Sequence, residues 1–194
     1  NNSELVAIYG NLINRVVVLT NKYYEGIVPK ASAFSETDLK VLEDIKAFPA
    51  EISASLEKYR FREAQGIMMN LARTGNKYLA DEEPWKLQKT DPERTATIMF
   101  VALQVAGALA VLSEPFIPFT ALKLKKMLNF EGFTHPLLWN DIAKLDVLLP
   151  TEHHINLAEF MFSKIEDDEI QKQIDKLEAS KVANPPVSFG RAGS

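Results

Sequence analysis

Two short stretches carry side chains whose types and spacing could do chemistry. In "YGNLINRVVVLTNKYYEG", Tyr9 to Gly26, Asn11 and Arg15 stand four residues apart with Asn14 between them, and Lys22 follows two turns on. At about 100° per residue, Asn11, Arg15 and Lys22 share one strip of a helix, and that strip flanks an apolar stripe. Arginine offers fixed donors, and asparagine offers both a donor and an acceptor. An unstacked base needs both kinds along its edge; cytosine, for one, presents acceptors at O2 and N3 and a donor at N4. It also needs a ring to lie on. The second stretch, "DEEPWKLQK", supplies one: Trp85 follows Pro84 in a predicted loop, with Lys86 and Lys89 beside it. An aromatic face accepts any base, and nearby cations hold phosphate. Each feature also has a plainer reading. Asn11 and Arg15 can pair with neighbouring helices or carboxylates and fix their packing, Asn14 can stabilise the helix, and Trp85 can be a lid on the core.

Other chemistry is poorly represented. The chain has no cysteine, so thiolate nucleophiles, disulfides and thiolate metal sites are excluded. No Gly-x-Ser-x-Gly elbow, phosphate loop or dinucleotide fingerprint occurs. His135, His153 and His154 have no helical i, i+4 partner, and they read as surface or packed histidines rather than ligands. Asp167–Asp168 and Glu82–Glu83 read as solvated faces. Net charge is −4, which argues against a whole-surface grip on nucleic acid and leaves local patches and base-level contacts.

The elements that must position these residues are helices. The first is expected from about Ser3, a possible cap, to Tyr24, with Gly26 ending it. Leu5, Tyr9, Leu12, Val16, Leu19 and Tyr23 make its stripe. Ser35 caps a second helix, Glu36 to about Tyr59, bent near Pro49. A third runs from about Arg62 to Ala80 on a face of Ala64, Ile67, Met68, Leu71 and Leu79. Asp91 caps a fourth, with Pro92 at its first position. Its run from Thr95 to Ser113 has no charge and suits a bilayer in length, but Thr95, Thr97, Gln104 and Ser113 dilute it, so it reads as the buried central helix. "TALKLKKMLNF" gives a fifth. Residues 131–180 read as an irregular segment packed on the bundle, with a polar peripheral helix in "DDEIQKQIDKLEAS". Residues 181–194 read as a disordered tail or linker. No segment reads as a strand. The expectation is an all-α bundle of about five core helices, with a core over about 1–130 within a domain of 1–180.

In order and spacing, "YGNLINRVVVLTNKYYEGIVP", "GNKYLADEEPWKLQK", "SEPFIPFTALKLKKML" and "HHINLAEFMFSKIEDDEI" resemble four segments of the anticodon-binding domain of methionyl-tRNA synthetases, over roughly residues 1–175. The resemblance implies that Asn11 and Arg15 read the wobble cytosine of a CAU anticodon and that an anticodon base stacks on Trp85. Lys22, Lys86 and Lys89 are candidate phosphate contacts. One branch of the family has a further Asn one turn earlier; Ala7 stands there, so that contact is absent or supplied otherwise. The family's His-x-Gly-His and Lys-Met-Ser-Lys-Ser motifs are missing from the chain. The resemblance therefore implies the recognition part of a cytoplasmic methionine–tRNA ligase. Its upstream catalytic domain would use ATP and Mg²⁺ and act on initiator and elongator methionine tRNA, with no cofactor in this chain and no membrane partner. Two alternatives stay open: a helical protein-interaction scaffold, and the similar domain of another class I synthetase.

Overall fold

The computed structural model describes residues 2–159, 161–162, 171–172 and 174–176, with side chains from residue 4 onward. The helical lead begins at Asn2, so Ser3, expected as its cap, falls within it, and its side chain, the tail at 181–194 and most of the peripheral helix lie outside what is described. Those of that helix that are described are helical and exposed.

The fold is all-α. A π-helical lead, Asn2–Gly10, runs without a break into α1, Asn11–Tyr24, because Gly10 at the junction keeps right-handed helical dihedrals. There follow α2 (Glu36–Glu57), α3 (Phe61–Glu82), α4 (Pro84–Leu87), α5 (Pro92–Leu112), α6 (Pro118–Met127), a 3₁₀ turn (Phe130–Gly132) and α7 (Trp139–Lys144). Among the described residues there is no strand, only one isolated bridge between Ile27 and His154. The five long helices match the expected five. The short α4 and α7 correct the sequence reading, which placed both stretches outside helices.

Local chemistry accounts for the ends. The Ser35 hydroxyl accepts from the Asp38 N–H while the Asp38 carboxylate accepts from the Ser35 N–H, a reciprocal capping box. Asp91 caps α5 by accepting from the Arg94 N–H. Pro49 sits inside α2, where it is buried. After α1, Glu25 and Gly26 both take left-handed dihedrals (φ 54° and 78°), so the turn foreseen at Gly26 begins one residue earlier.

The core forms around α5. That helix has the length and mean hydropathy (2.0) of a membrane span, and 94% of its most apolar window is buried inside the bundle. Its polar residues are satisfied there. Gln104 accepts from the Leu148 and Leu149 N–H groups at 2.7 and 3.0 Å and donates to the Leu149 carbonyl at 3.0 Å. One buried amide thus holds the otherwise irregular carboxyl-terminal segment against the central helix. The same segment is tied to the exit of α1 by Val28 N–H to His153 O and Ile155 N–H to Gly26 O. His153 is half-buried with Nε2 2.7 Å from the Leu128 carbonyl, a packed residue. Where α1, α3 and α5 meet, Gly75 leaves no room for a side chain: a Cβ there would lie 2.7 Å from Leu12 Cδ2 and 3.0 Å from Val105 Cγ1. That close approach sets α1 alongside α3.

Candidate nucleic-acid interface

α1 and α3 run in the same direction. Glu4 holds Arg73 through two contacts of 2.5 and 2.7 Å, and the Asn76 amide donates to the Ile8 carbonyl at 2.8 Å. Further along, α1 reaches the end of α3. There Glu83 takes a left-handed conformation (φ 44°), Pro84 is buried, and the single turn of α4 begins. Pro84 at the first position of a turn needs no N–H partner. Anchoring it inward leaves Trp85 facing out, with 39% of its surface exposed.

The result brings two of the predicted residues into contact. The Arg15 guanidinium carbon lies over the Trp85 ring, 5.6 Å from its centroid. Arg15 and Asn11 are half-buried and Asn14 is exposed. Among the described residues none of these three side chains has a hydrogen-bonding partner, and Arg15 has no ion pair. Among the described residues, the one contact that ties this strip to another element is the Arg15 guanidinium on the Trp85 ring. Trp85 is not a core lid, and it sits on a helical turn rather than in a loop.

Asn11 and Asn14 line an open depression of about 410 Å³, walled by Val6, Ala7, Gly10 and, from the far end of the described chain, Glu159, Met161 and Phe162. Ala7 and Gly10 keep this hollow open. Phe162 closes it, its ring edge-to-face with Tyr9 at 6.1 Å. Asn14, expected to stabilise the helix, has an exposed side chain bonded to no described residue. No local signal marks Phe162 as part of the site, because the segment that brings it returns from the other end of the sequence.

The candidate phosphate contacts are less uniform. Lys86 is occupied by Glu83, 2.8 Å away, three residues earlier on the same turn. Lys22 lies 5.7 Å from the Tyr23 ring centroid, and Lys89 is exposed.

A charged cluster that sequence reasoning missed includes Glu82, at the end of α3 just before α4. Arg94, in the first turn of α5, donates to the Asp38 carboxylate through both terminal nitrogens and to Glu82 at 2.7 Å. The Tyr78 hydroxyl donates to Asp38 at 2.5 Å. Burial pushes the Asp38 carboxyl up, but the hydrogen bonds from Arg94, Tyr78 and the Ser35 N–H outweigh it and hold the group below its usual value. Burial and the Asp38 contact push the Tyr78 hydroxyl well up. The cluster ties the start of α2 to the end of α3 and the start of α5, the two points between which α4 lies.

Bundle and surface together define a class: an all-α domain that presents an indole, a guanidinium and two amides, unpaired by its described residues, along one face. Comparison with known proteins gives the family. Residues 28–181 match the family described as the anticodon binding domain of methionyl tRNA ligase. The chain is 61% identical over 186 residues to a methionine–tRNA ligase of Christiangramia forsetii, covering 95% of this chain and 27% of that protein. It is 62% identical over 184 residues to a methionine–tRNA ligase of Flavobacterium psychrophilum, covering 95% and 26%. In fold, it superposes on methionyl-tRNA synthetase of Mycobacterium tuberculosis in its free state with a TM-score of 0.75 at 21% identity, over 85% of this chain and 33% of that one. The chain belongs to the anticodon-binding family of methionyl-tRNA ligases, and it spans about a quarter of the length of the curated relatives named. Asn11 and Arg15 precede the span matched by the family model, whereas Trp85 lies within it.

Proposed function

We propose that this face binds the anticodon loop of methionine tRNA, initiator and elongator alike, and that Arg15, Asn11 and Trp85 take the wobble base of CAU. The observation that carries the reading is the unbonded Arg15 guanidinium standing over an exposed indole. A base laid on Trp85 takes the place the Arg15 guanidinium now holds over the ring, with the displaced guanidinium donating along the base edge, and Asn11, one turn earlier, adds an acceptor and a donor. The strand then runs along α1 toward the depression beside Asn14. Lys89 and Lys22 face solvent and can meet phosphate, and Lys86 can do so on leaving Glu83.

The whole polypeptide is proposed to be a cytoplasmic ligase that joins methionine to tRNA, with this domain selecting the tRNA. ATP and Mg²⁺ belong to the rest of that polypeptide. That assignment is supported by the sequence, which has neither nucleotide-binding signature of the family.

Binding of matched stem-loops that differ only in the anticodon tests the reading. Arg15→Ala should weaken the CAU stem-loop by about tenfold or more and relax discrimination at the wobble position, since a good base-edge contact is worth about 1–3 kcal/mol. Trp85→Ala should lose a similar amount through stacking. Unchanged selectivity in both variants would sink the proposal and favour a protein-interaction scaffold.

A further inference from the structure

We propose that the corner between α2 and α3, Lys58 to Arg62, is a second RNA contact that grips the body of the tRNA independently of its sequence. This inference rests on the RNA reading above. It starts from a local misfit. α2 ends in a paired carboxyl-terminal cap, with the Tyr59 N–H on the Leu56 carbonyl and the Arg60 N–H on the Ser55 carbonyl, both at 2.9 Å. Such a cap puts one residue in the left-handed region, where glycine is the usual occupant. Here that residue is tyrosine, at φ 58°. A bulky side chain is unfavourable in that conformation, and nothing in the fold repays it, because Tyr59 is 81% exposed.

The neighbours repeat the pattern. Phe61 is 60% exposed, and its ring meets Tyr59 edge-to-face at 6.4 Å, so two aromatic faces stand together in solvent. Lys58, Arg60 and Arg62 alternate with them, all exposed. Glu63, the nearest downstream acid, gives one oxygen to the Ser55 hydroxyl at 2.8 Å and leaves the other 3.6 Å from Arg60. Lys58 and Arg62 have no ion pair among the described residues. Glu57 and Glu63 flank the run and Glu63 pairs with Arg60, so in a chain of net charge −4 Lys58 and Arg62 are the unpaired cations, among the described residues, that stand beside the two open rings. Rings that stack on exposed bases or sugars, with cations on the backbone, make a sequence-tolerant RNA surface.

Position separates this contact from the first. Trp85 lies just past the end of α3 and Phe61 opens it, so the helix rise sets the two about 33 Å apart. A three-base-pair hairpin carrying the anticodon loop is too short to reach both; a full-length tRNA is not.

The experiment measures binding of the chain to both RNAs at low salt, with Tyr59→Gly, Arg62→Ala and Trp85→Ala. The expected result is that Tyr59→Gly and Arg62→Ala each weaken full-length tRNA about fivefold or more, as loss of a stacking or backbone contact should, and leave the short hairpin unchanged. Tyr59→Gly should also keep or raise the Tm, because glycine suits the left-handed cap; a purely structural tyrosine would do the reverse. Trp85→Ala should weaken both RNAs. If the corner variants bind full-length tRNA like the parent, the proposal is wrong, and the patch serves a protein surface instead. Equal losses on both RNAs would overturn it as well. If Trp85→Ala alone leaves both RNAs unaffected, the anticodon reading fails while the corner is still judged on full-length tRNA.

Discussion

At the scale of single residues, hydrogen bonding distinguishes the asparagines that hold the bundle together from those left unbonded among the described residues. Asn21 lies in α1 with Asn11 and Asn14, and Asn76 lies in the neighbouring α3, yet each of these two donates to carbonyls, Asn21 to Val17 and Asn156, Asn76 to Ile8 and Ala72. Asn11 and Asn14 do nothing of the kind among the described residues. Replacing Asn76 with Ala should therefore lower the Tm, by about 2–4 °C for each kcal/mol lost, whereas Asn14→Ala should leave it within a degree or two. If the RNA strand enters the depression, Asn14→Ala should also weaken the CAU stem-loop with no change in folding, and calorimetry beside binding on the same variant reads both. An Asn14→Ala protein that melts several degrees early would return that residue to a packing role. The sequence showed the Asn–Arg spacing and the tryptophan beside proline, and the structure brings Arg15 and Trp85 of that candidate site together. It did not show Asn14 as exposed, because one residue's place on a helix edge depends on what packs next to it. Nor was the left-handed tyrosine visible, although the alternation Lys-Tyr-Arg-Phe-Arg at 58–62 could have been noticed.

At the scale of elements, long periodic helices were legible and single turns were not. The uncharged run became α5, and its most apolar window is almost wholly buried, because a helix apolar all round has only the core to occupy in a bundle. By contrast, α4 and α7 hold four and six residues, too few to show a period. The element that presents Trp85 is consequently held by distant residues. Arg94 joins Asp38 and Glu82. Removing that guanidinium strands a fully buried carboxylate, and Arg94→Ala should cost about 3–5 kcal/mol, a fall in Tm on the order of 10 °C. The cluster also predicts an acid response. Asp38 titrates lower folded than unfolded, so its stabilisation is complete above about pH 4, the unfolded value, and is lost as pH falls below that toward the folded value. Melting curves from pH 7 to pH 3 should show this decline. Tyr78→Phe, which removes one of the hydrogen bonds holding the carboxyl down, should make the acid part of the decline shallower. An unchanged acid slope would mean that other carboxylates dominate.

At the scale of the whole molecule, the proposed function has an acidic domain bind a polyanion, and this bears on how the binding energy is divided. With net charge −4, the general surface repels RNA, so affinity has to come from stacking, base edges and a few local cations. Around the Trp85 site the candidates are Lys22, Lys86 and Lys89, one of them already paired to Glu83. Each phosphate neutralised on a single strand contributes about 0.7 to the slope of log K against log salt, so three lysines set a ceiling of about 2 for a short hairpin. Titrations of that hairpin between low and physiological salt should give a slope of about −1 to −2. Lys89→Ala should reduce its magnitude by about 0.7, and Lys86→Ala by less, because its loss also frees Glu83. Full-length tRNA should give a steeper slope, and Arg62→Ala should bring that slope back toward the hairpin value. A hairpin slope of −4 or beyond would mean that charge, not stacking on Trp85, supplies most of the grip, and Trp85→Ala would then cost little on either RNA.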